Sequence, residues 1–302
     1  MNRTEPAVTP RESATGAIYD LGYEGYDGPR LGRRAAFATI LVASLRGTFG
    51  LGRGARSKIV PWGLAGGLIV PAAVVGAIRA IVPGAPTPFN YDNYLWNMQP
   101  LLALFVAAQA PELVSSDQRH RVLSLYFSHA LARSDYALAK LAALSIALFV
   151  VALAPLLVLF TASVLVAADL PAALVEQAAN LPQMIVSPLL HAIPLAGLGL
   201  AVAAYTPRRA YATGAIIAVF LVTAAVGATL AQAGTGRLSQ LAWLLNPFVL
   251  VDGTRDWLVG ASVADSPVAA AVVAGWIFGA LTAGLALIGA AAVMWRYRSV
   301  SA

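Results

Sequence analysis

Six stretches of the chain are almost continuously apolar. They are residues 59–82, 95–115, 138–168, 184–204, 211–233 and 268–294. Each is close to the roughly 20 residues that a helix needs to cross about 30 Å of hydrocarbon. The second is the most polar of the set. The third is long enough to tilt or to run past the bilayer, and Pro155 predicts a kink in it. A membrane barrel would instead show alternating strands of about ten residues. Backbone groups in lipid must pair within their own segment, so the pattern predicts an all-α polytopic membrane protein with six transmembrane helices.

The polar segments between these runs carry shorter amphipathic patterns. Residues 34–50 predict an interfacial elbow helix before the first span. Phe37, Ile40, Leu41, Ser44, Leu45 and Thr48 share one face, while Arg33, Arg34 and Arg46 can meet headgroups. Within 117–140, Val122, Leu125 and Tyr126 fall at helical spacing, and Ser134-Asp135 is the expected cap of the third span. In 234–267, Leu238, Leu241, Ala242 and Leu245 form a helical face that Asn246-Pro247 interrupts. A second short helix over 249–259 then carries Asp252, Arg255, Asp256 and Trp257. Both are too short to be spans and are expected to be interfacial or re-entrant. The chain thus divides into a tail and elbow over 1–58 and a membrane domain over 59–302. The tail mixes acids and bases without an apolar core and does not read as a signal peptide. Its stretch 19–29, rich in glycine, tyrosine and acid, is loop chemistry.

Composition sharpens this picture. Of 302 residues, 59% are apolar and 11% charged, against about 25% charged in soluble domains. There is too little polar surface to wrap a water-soluble core. The formal net charge of +6 would raise nucleic acid as a partner in a soluble protein. Here the bases flank apolar runs and form no stripe with interleaved aromatics, so orientation in a membrane explains them and no nucleic-acid partner is expected. Arg53, Arg56 and Lys58 precede the first span; Arg119, Arg121, Arg133 and Lys140 lie between the second and third. Arg208 and Arg209 lie between the fourth and fifth, and Arg296 and Arg298 follow the sixth. The alternate connections are poor in base. Both termini are therefore expected in the cytoplasm, with the chain in the cytoplasmic membrane.

Recognisable catalytic chemistry is sparse. With no cysteine and with His120, His129 and His191 scattered, neither thiolate chemistry nor a metal site is expected. There is no Walker A sequence, no G-x-S-x-G elbow and no H-E-x-x-H motif, so no catalytic residue is assigned. Gly50-Leu-Gly-Arg-Gly54 lacks a preceding strand and reads as a loop. Gln109, Glu112 and His191 are the candidate intramembrane polar site, because ionisable groups at membrane depth are functional candidates by default. Gly275 and Gly279 form a GxxxG step, for which packing within the chain is the commoner fate.

Two stretches resemble the permease subunits of ABC-2-type transporters. From Ser115 to Lys140, the acid Asp117, then Leu123, Leu125, Arg133, Tyr136 and Lys140 match that family's cytoplasmic helix and its approach to the next span. Ala130 and Ala139 stand where the family usually has proline and glycine. From Leu245 to Gly260, Asn246, Pro247 and Arg255 resemble its external Asn-Pro segment. The resemblance implies two permease chains, as homodimer or heterodimer, above two separate ATPase subunits that bind ATP; no cofactor is expected on this chain. It implies that Asp117, Arg119, Arg121, Leu123, Leu125, Arg133, Tyr136 and Lys140 couple ATPase closure to the bundle, with transport often outward; the Ala, Val, Leu and Gly content of the spans suggests an apolar or amphipathic substrate. A membrane-embedded enzyme and a scaffold or channel subunit are the alternatives.

Overall fold

The computed structural model describes Gly28 and residues 32–82, 86–119, 131–206, 208–260 and 266–299, the side chains of 115, 116, 118 and 119 excepted. Contacts divide the chain into Met1–Leu31 and Gly32–Ala302, and the helices below belong to the second unit. They are α1 (Arg33–Thr48), α2 (Arg56–Ile81), α3 (Tyr94–Asn97), α4 (Gln99–Arg119), α5 (Arg133–Val166), α6 (Leu170–Ala178), α7 (Leu181–Tyr205), α8 (Arg209–Ala233), α9 (Arg237–Ala242), α10 (Pro247–Val259), α11 (Pro267–Ala270) and α12 (Gly275–Arg298). A 3₁₀ turn, Trp243–Leu245, joins α9 to α10. No strand occurs among the described residues.

Five helices are long and apolar enough to cross a membrane: α2, α5, α7, α8 and α12. The predicted second span is α4, whose apolar part ends at Val114. Its residues 95–97 belong instead to α3, which closes at Met98 before Pro100 enters the first turn of α4. Tyr94 anchors α3 by donating to the Leu68 carbonyl of α2 at 2.5 Å.

α7 is the hub. It packs against α4, α5, α8, α10 and α12, and α5 in turn packs along α1 and α2. Glycine permits the closest crossing. A β-carbon on Gly289 of α12 would run into the backbone of Gly197 on α7, so these two helices meet with nothing between them. Burial follows this order. In their most apolar windows α5 and α7 are 50% and 56% buried, while α8 is 17% and α2 and α12 are 22%. Val70 and Val74 on α2, Leu221 and Val222 on α8, and Leu287 and Ile288 on α12 are exposed. That much outward apolar surface suits contact with hydrocarbon rather than water.

The helix boundaries correct two expectations. The sixth apolar run does not form one helix. Ser266 caps α11, the chain turns through 271–274 with Val272 at φ 47°, and α12 starts only at Gly275. Gly275 and Gly279 lie under the Trp257 ring of α10, where β-carbons would clash with it; the GxxxG step packs within the chain. The third span begins at Arg133 rather than at a Ser134-Asp135 cap. Asp135 sits in the first turn and reaches back to accept from the Ala132 amide at 3.3 Å, where a carboxylate suits the positive end of the helix.

Candidate functional site

Two polar clusters stand at opposite ends of the bundle. The first gathers the ends of α4 and α12 and the starts of α5 and α8. Lys140 on α5 pairs with Asp117 on α4 at 2.8 Å, and Tyr136 donates to the same carboxylate oxygen at 2.7 Å. The Tyr136 ring meets Tyr297 of α12 edge-on at 4.9 Å between centroids. Lys140 is also 5.3 Å from the centre of the Tyr136 ring. Helical spacing explains the grouping on α5: Tyr136 and Lys140 are four residues apart and share one face. Arg133 donates to the Arg298 carbonyl at 2.9 Å, tying the root of α5 to the end of α12.

Ion pairs extend this end outward. Arg33 holds Asp135 through two bonds, at 2.5 and 2.7 Å, and the carboxylate raises the guanidinium's pKa further. Glu112 on α4 pairs with Arg53 and, at 2.5 Å, with Arg209 at the start of α8. Between α1, α4 and α5 lies a cavity of about 250 Å³ lined by Thr39, Ser44, Arg53, Glu112, Asp117 and Lys140 among others. α1 does not stand free of the bundle: Ser44 and Thr48 are buried against it, and Ile40 and Leu45 are partly so.

The second cluster is centred on Arg255 of α10, which is 2% exposed. Its guanidinium pairs with Asp252 at 3.0 Å and Asp256 at 2.6 Å, and donates to the Asp92 carbonyl at 2.5 Å. Gln99, at the start of α4, donates to Asp252 at 3.3 Å, and Gln183 of α7 donates to the Asp92 carboxylate at 2.6 Å. His191 bonds the Ser187 carbonyl of its own helix at 2.8 Å and points Nε2 at Asp252 Oδ1 from 3.9 Å. Burial pushes the Asp252 carboxyl up to about 6, against the opposing pull of Arg255 and Gln99. Asn246 caps α10 by accepting from the Phe248 amide at 3.0 Å, with Pro247 as the first helical residue. The second external helix therefore starts at Pro247, two residues before its expected start.

The residues singled out in sequence fall unevenly. Asp117, Tyr136 and Lys140 come together, and Arg133 lies at the same end. Arg121, Leu123 and Leu125 lie outside the described residues, as does the short helix expected there, and so does the side chain of Arg119. Gln109, Glu112 and His191 do not form one site. His191 faces Asp252, which is also bound by Arg255 and Gln99; Glu112 lies thirteen residues beyond Gln99 along α4, about 20 Å at 1.5 Å per residue. Gln109 is buried between these levels. Sequence reasoning missed Gln99, Asp252 and Asp256 as site residues. The i, i+3 and i, i+1 placement of Asp252 and Asp256 around Arg255 was the available signal.

What these observations define is a polytopic helical membrane protein with a charged knot at each end. No protein-family model matches the chain, and no curated protein matches it.

Proposed function

We propose that the chain is the transmembrane permease subunit of an ABC-2-type transporter, working with a separate ATPase and a second permease chain in the cytoplasmic membrane. On this reading α4 is a sixth span. Its first residue reaches Asp252 at one end of the bundle and its Glu112 reaches Arg209 at the other, so it runs alongside the five longer helices. The end holding Arg53, Arg133, Lys140, Arg209 and Arg296 faces the cytoplasm, as the placement of bases near span ends favours. Both termini lie on that side, and α1 is the elbow that leads into α2.

The observation that carries the reading is the Asp117–Tyr136–Lys140 knot. It clamps the two helices from which the 120–132 connection departs, and Tyr136 extends it to α12. A partner pushing on that connection would move α4, α5 and α12 as a set. ATP binding by the partner then shifts the bundle between arrangements only as far as its contacts differ between them. The substrate is expected to be amphipathic and the direction outward.

The test is to purify the tagged chain from its native membrane and identify what travels with it. A nucleotide-binding ATPase is expected, lost with Leu125→Asp and Arg133→Glu. Absence of any such protein, with transport unaffected by both substitutions, would overturn the permease reading in favour of a scaffold or channel.

A further inference from the structure

Glu112 is shared by two arginines from different segments. Arg53 precedes α2 and pairs with one carboxylate oxygen; Arg209 opens α8 and pairs with the other. The group as a whole keeps one positive charge. Both guanidiniums remain open, at 43% and 54% exposed. A guanidinium has five N–H donors, so each keeps donors for a further acceptor. Arg56, Lys58 and Arg208 are exposed within one to five residues of them, and Arg56 and Lys58 make no ion pair among the described residues.

Directly beyond this clamp lies an apolar groove of about 380 Å³ between α2, α4 and α8. Ile59, Val60 and Gly63 form one wall, Leu104 the floor, and Thr213 and Ile217 the other wall. The two features are one place. Ile59 follows Lys58 directly, and Thr213 is one helical turn from Arg209. The groove opens on the outer surface of the bundle, where Ile59 and Val60 are exposed. Apolar walls capped by unspent guanidinium donors have the polarity profile of a single lipid molecule.

We propose that this is a binding site for one anionic phospholipid, with its phosphate held by Arg53 and Arg209 and an acyl chain lying in the groove. Guanidinium forks match phosphate oxygens bidentately. Basic pockets between membrane helices on the cytoplasmic side are suited to anionic headgroups. A zwitterionic lipid fits less well, since Glu112, the nearest carboxylate, is already taken by two arginines. A free phosphate ion would use the clamp but leave the groove without an occupant.

The full chain, purified in mild detergent, would be tested by native mass spectrometry with phosphatidylglycerol, phosphatidylcholine of the same acyl chains, and inorganic phosphate. Phosphatidylglycerol should be retained about tenfold over phosphatidylcholine and should not be displaced by phosphate. Arg209→Gln should lower its retention about fivefold, while Arg209→Lys keeps more of it. Because Arg209 also holds Glu112, Gly63→Phe is the second probe. It changes no charge, and a side chain there meets open space. It should also lower retention. Equal retention of the two lipids, displacement by phosphate, or unchanged retention in Gly63→Phe would each overturn the proposal. The last of these would mean attraction by surface charge alone.

Discussion

Arg255 and Asp252 form an ion pair at 3.0 Å in which each side chain is only 2% exposed. Such a pair is costly to bury and more costly to break. Removing one partner leaves an uncompensated buried charge, typically worth about 3–5 kcal/mol. Arg255 is held further by Asp256 and the Asp92 carbonyl, so it ties α10 to the chain ahead of α4.

Arg255→Met should therefore be the most damaging substitution at this end, lowering stability by roughly 3–5 kcal/mol or preventing accumulation. Asp252→Asn combined with Arg255→Met should cost less than the two single effects added, because the partners share one interaction. Thermal unfolding in detergent, followed by tryptophan fluorescence, measures both.

Asp252 also sets a pH dependence. Its carboxyl is raised from 3.8 to about 6 by burial. Between those values the folded protein keeps a proton that the unfolded chain has released. Its contribution to stability falls as pH rises through that window and is flat above it. Measured against Asp252→Asn in detergent, the parent's melting temperature should lose ground between about pH 4 and 6 and hold a constant difference above that.

Ion pairs at the basic end should rank by burial. Lys140 and Asp117 are 8% and 17% exposed, whereas Arg33 is 64% exposed in its pair with Asp135. Lys140→Met leaves Asp117 without its cation and Tyr136 with an altered partner. It should lower stability by about 2–4 kcal/mol. Arg33→Ala should lower the melting temperature less than Lys140→Met, because solvent screens the Arg33 side of its pair even though Asp135 is 12% exposed.

The glycine crossing of α7 and α12 gives a packing test. Gly289→Leu forces apart backbones that touch at Gly197 and should cost at least about 2–3 kcal/mol. Gly284→Leu, on the same helix but with nothing near its β-carbon, should stay within about 0.5 kcal/mol of the parent.

Much of this architecture was legible in the sequence because an apolar run long enough to cross lipid has few other fates. α2, α5, α7 and α8 fall within a few residues of their expected positions. Breaks inside apolar runs were less legible. Apolar sequence runs on both sides of Val272, and the chain turns there for reasons of capping and packing; at Met98 the flanking Asn97, Gln99 and Pro100 were the available signal. Arg79 shows a second limit. It lies within the first apolar run, yet it bonds Ser163 of α5, Thr87 and Asn90 near the bundle's end. A long side chain at a helix end can reach polar partners that a hydropathy window averages away. The knot of Asp117, Tyr136 and Lys140 was readable as separate residues, but its link to Tyr297 depends on how α12 returns beside α5.

The proposed permease function requires the basic end to face the cytoplasm, where an ATPase could reach the 120–132 connection. The chain has no cysteine, so single cysteines report sidedness without background. Arg133→Cys, Arg208→Cys, Thr87→Cys and Arg237→Cys would be treated in intact cells with a membrane-impermeant maleimide. Labelling of the last two, with protection of the first two until the membrane is opened, is the expected result. Labelling of Arg133→Cys or Arg208→Cys in intact cells would contradict it.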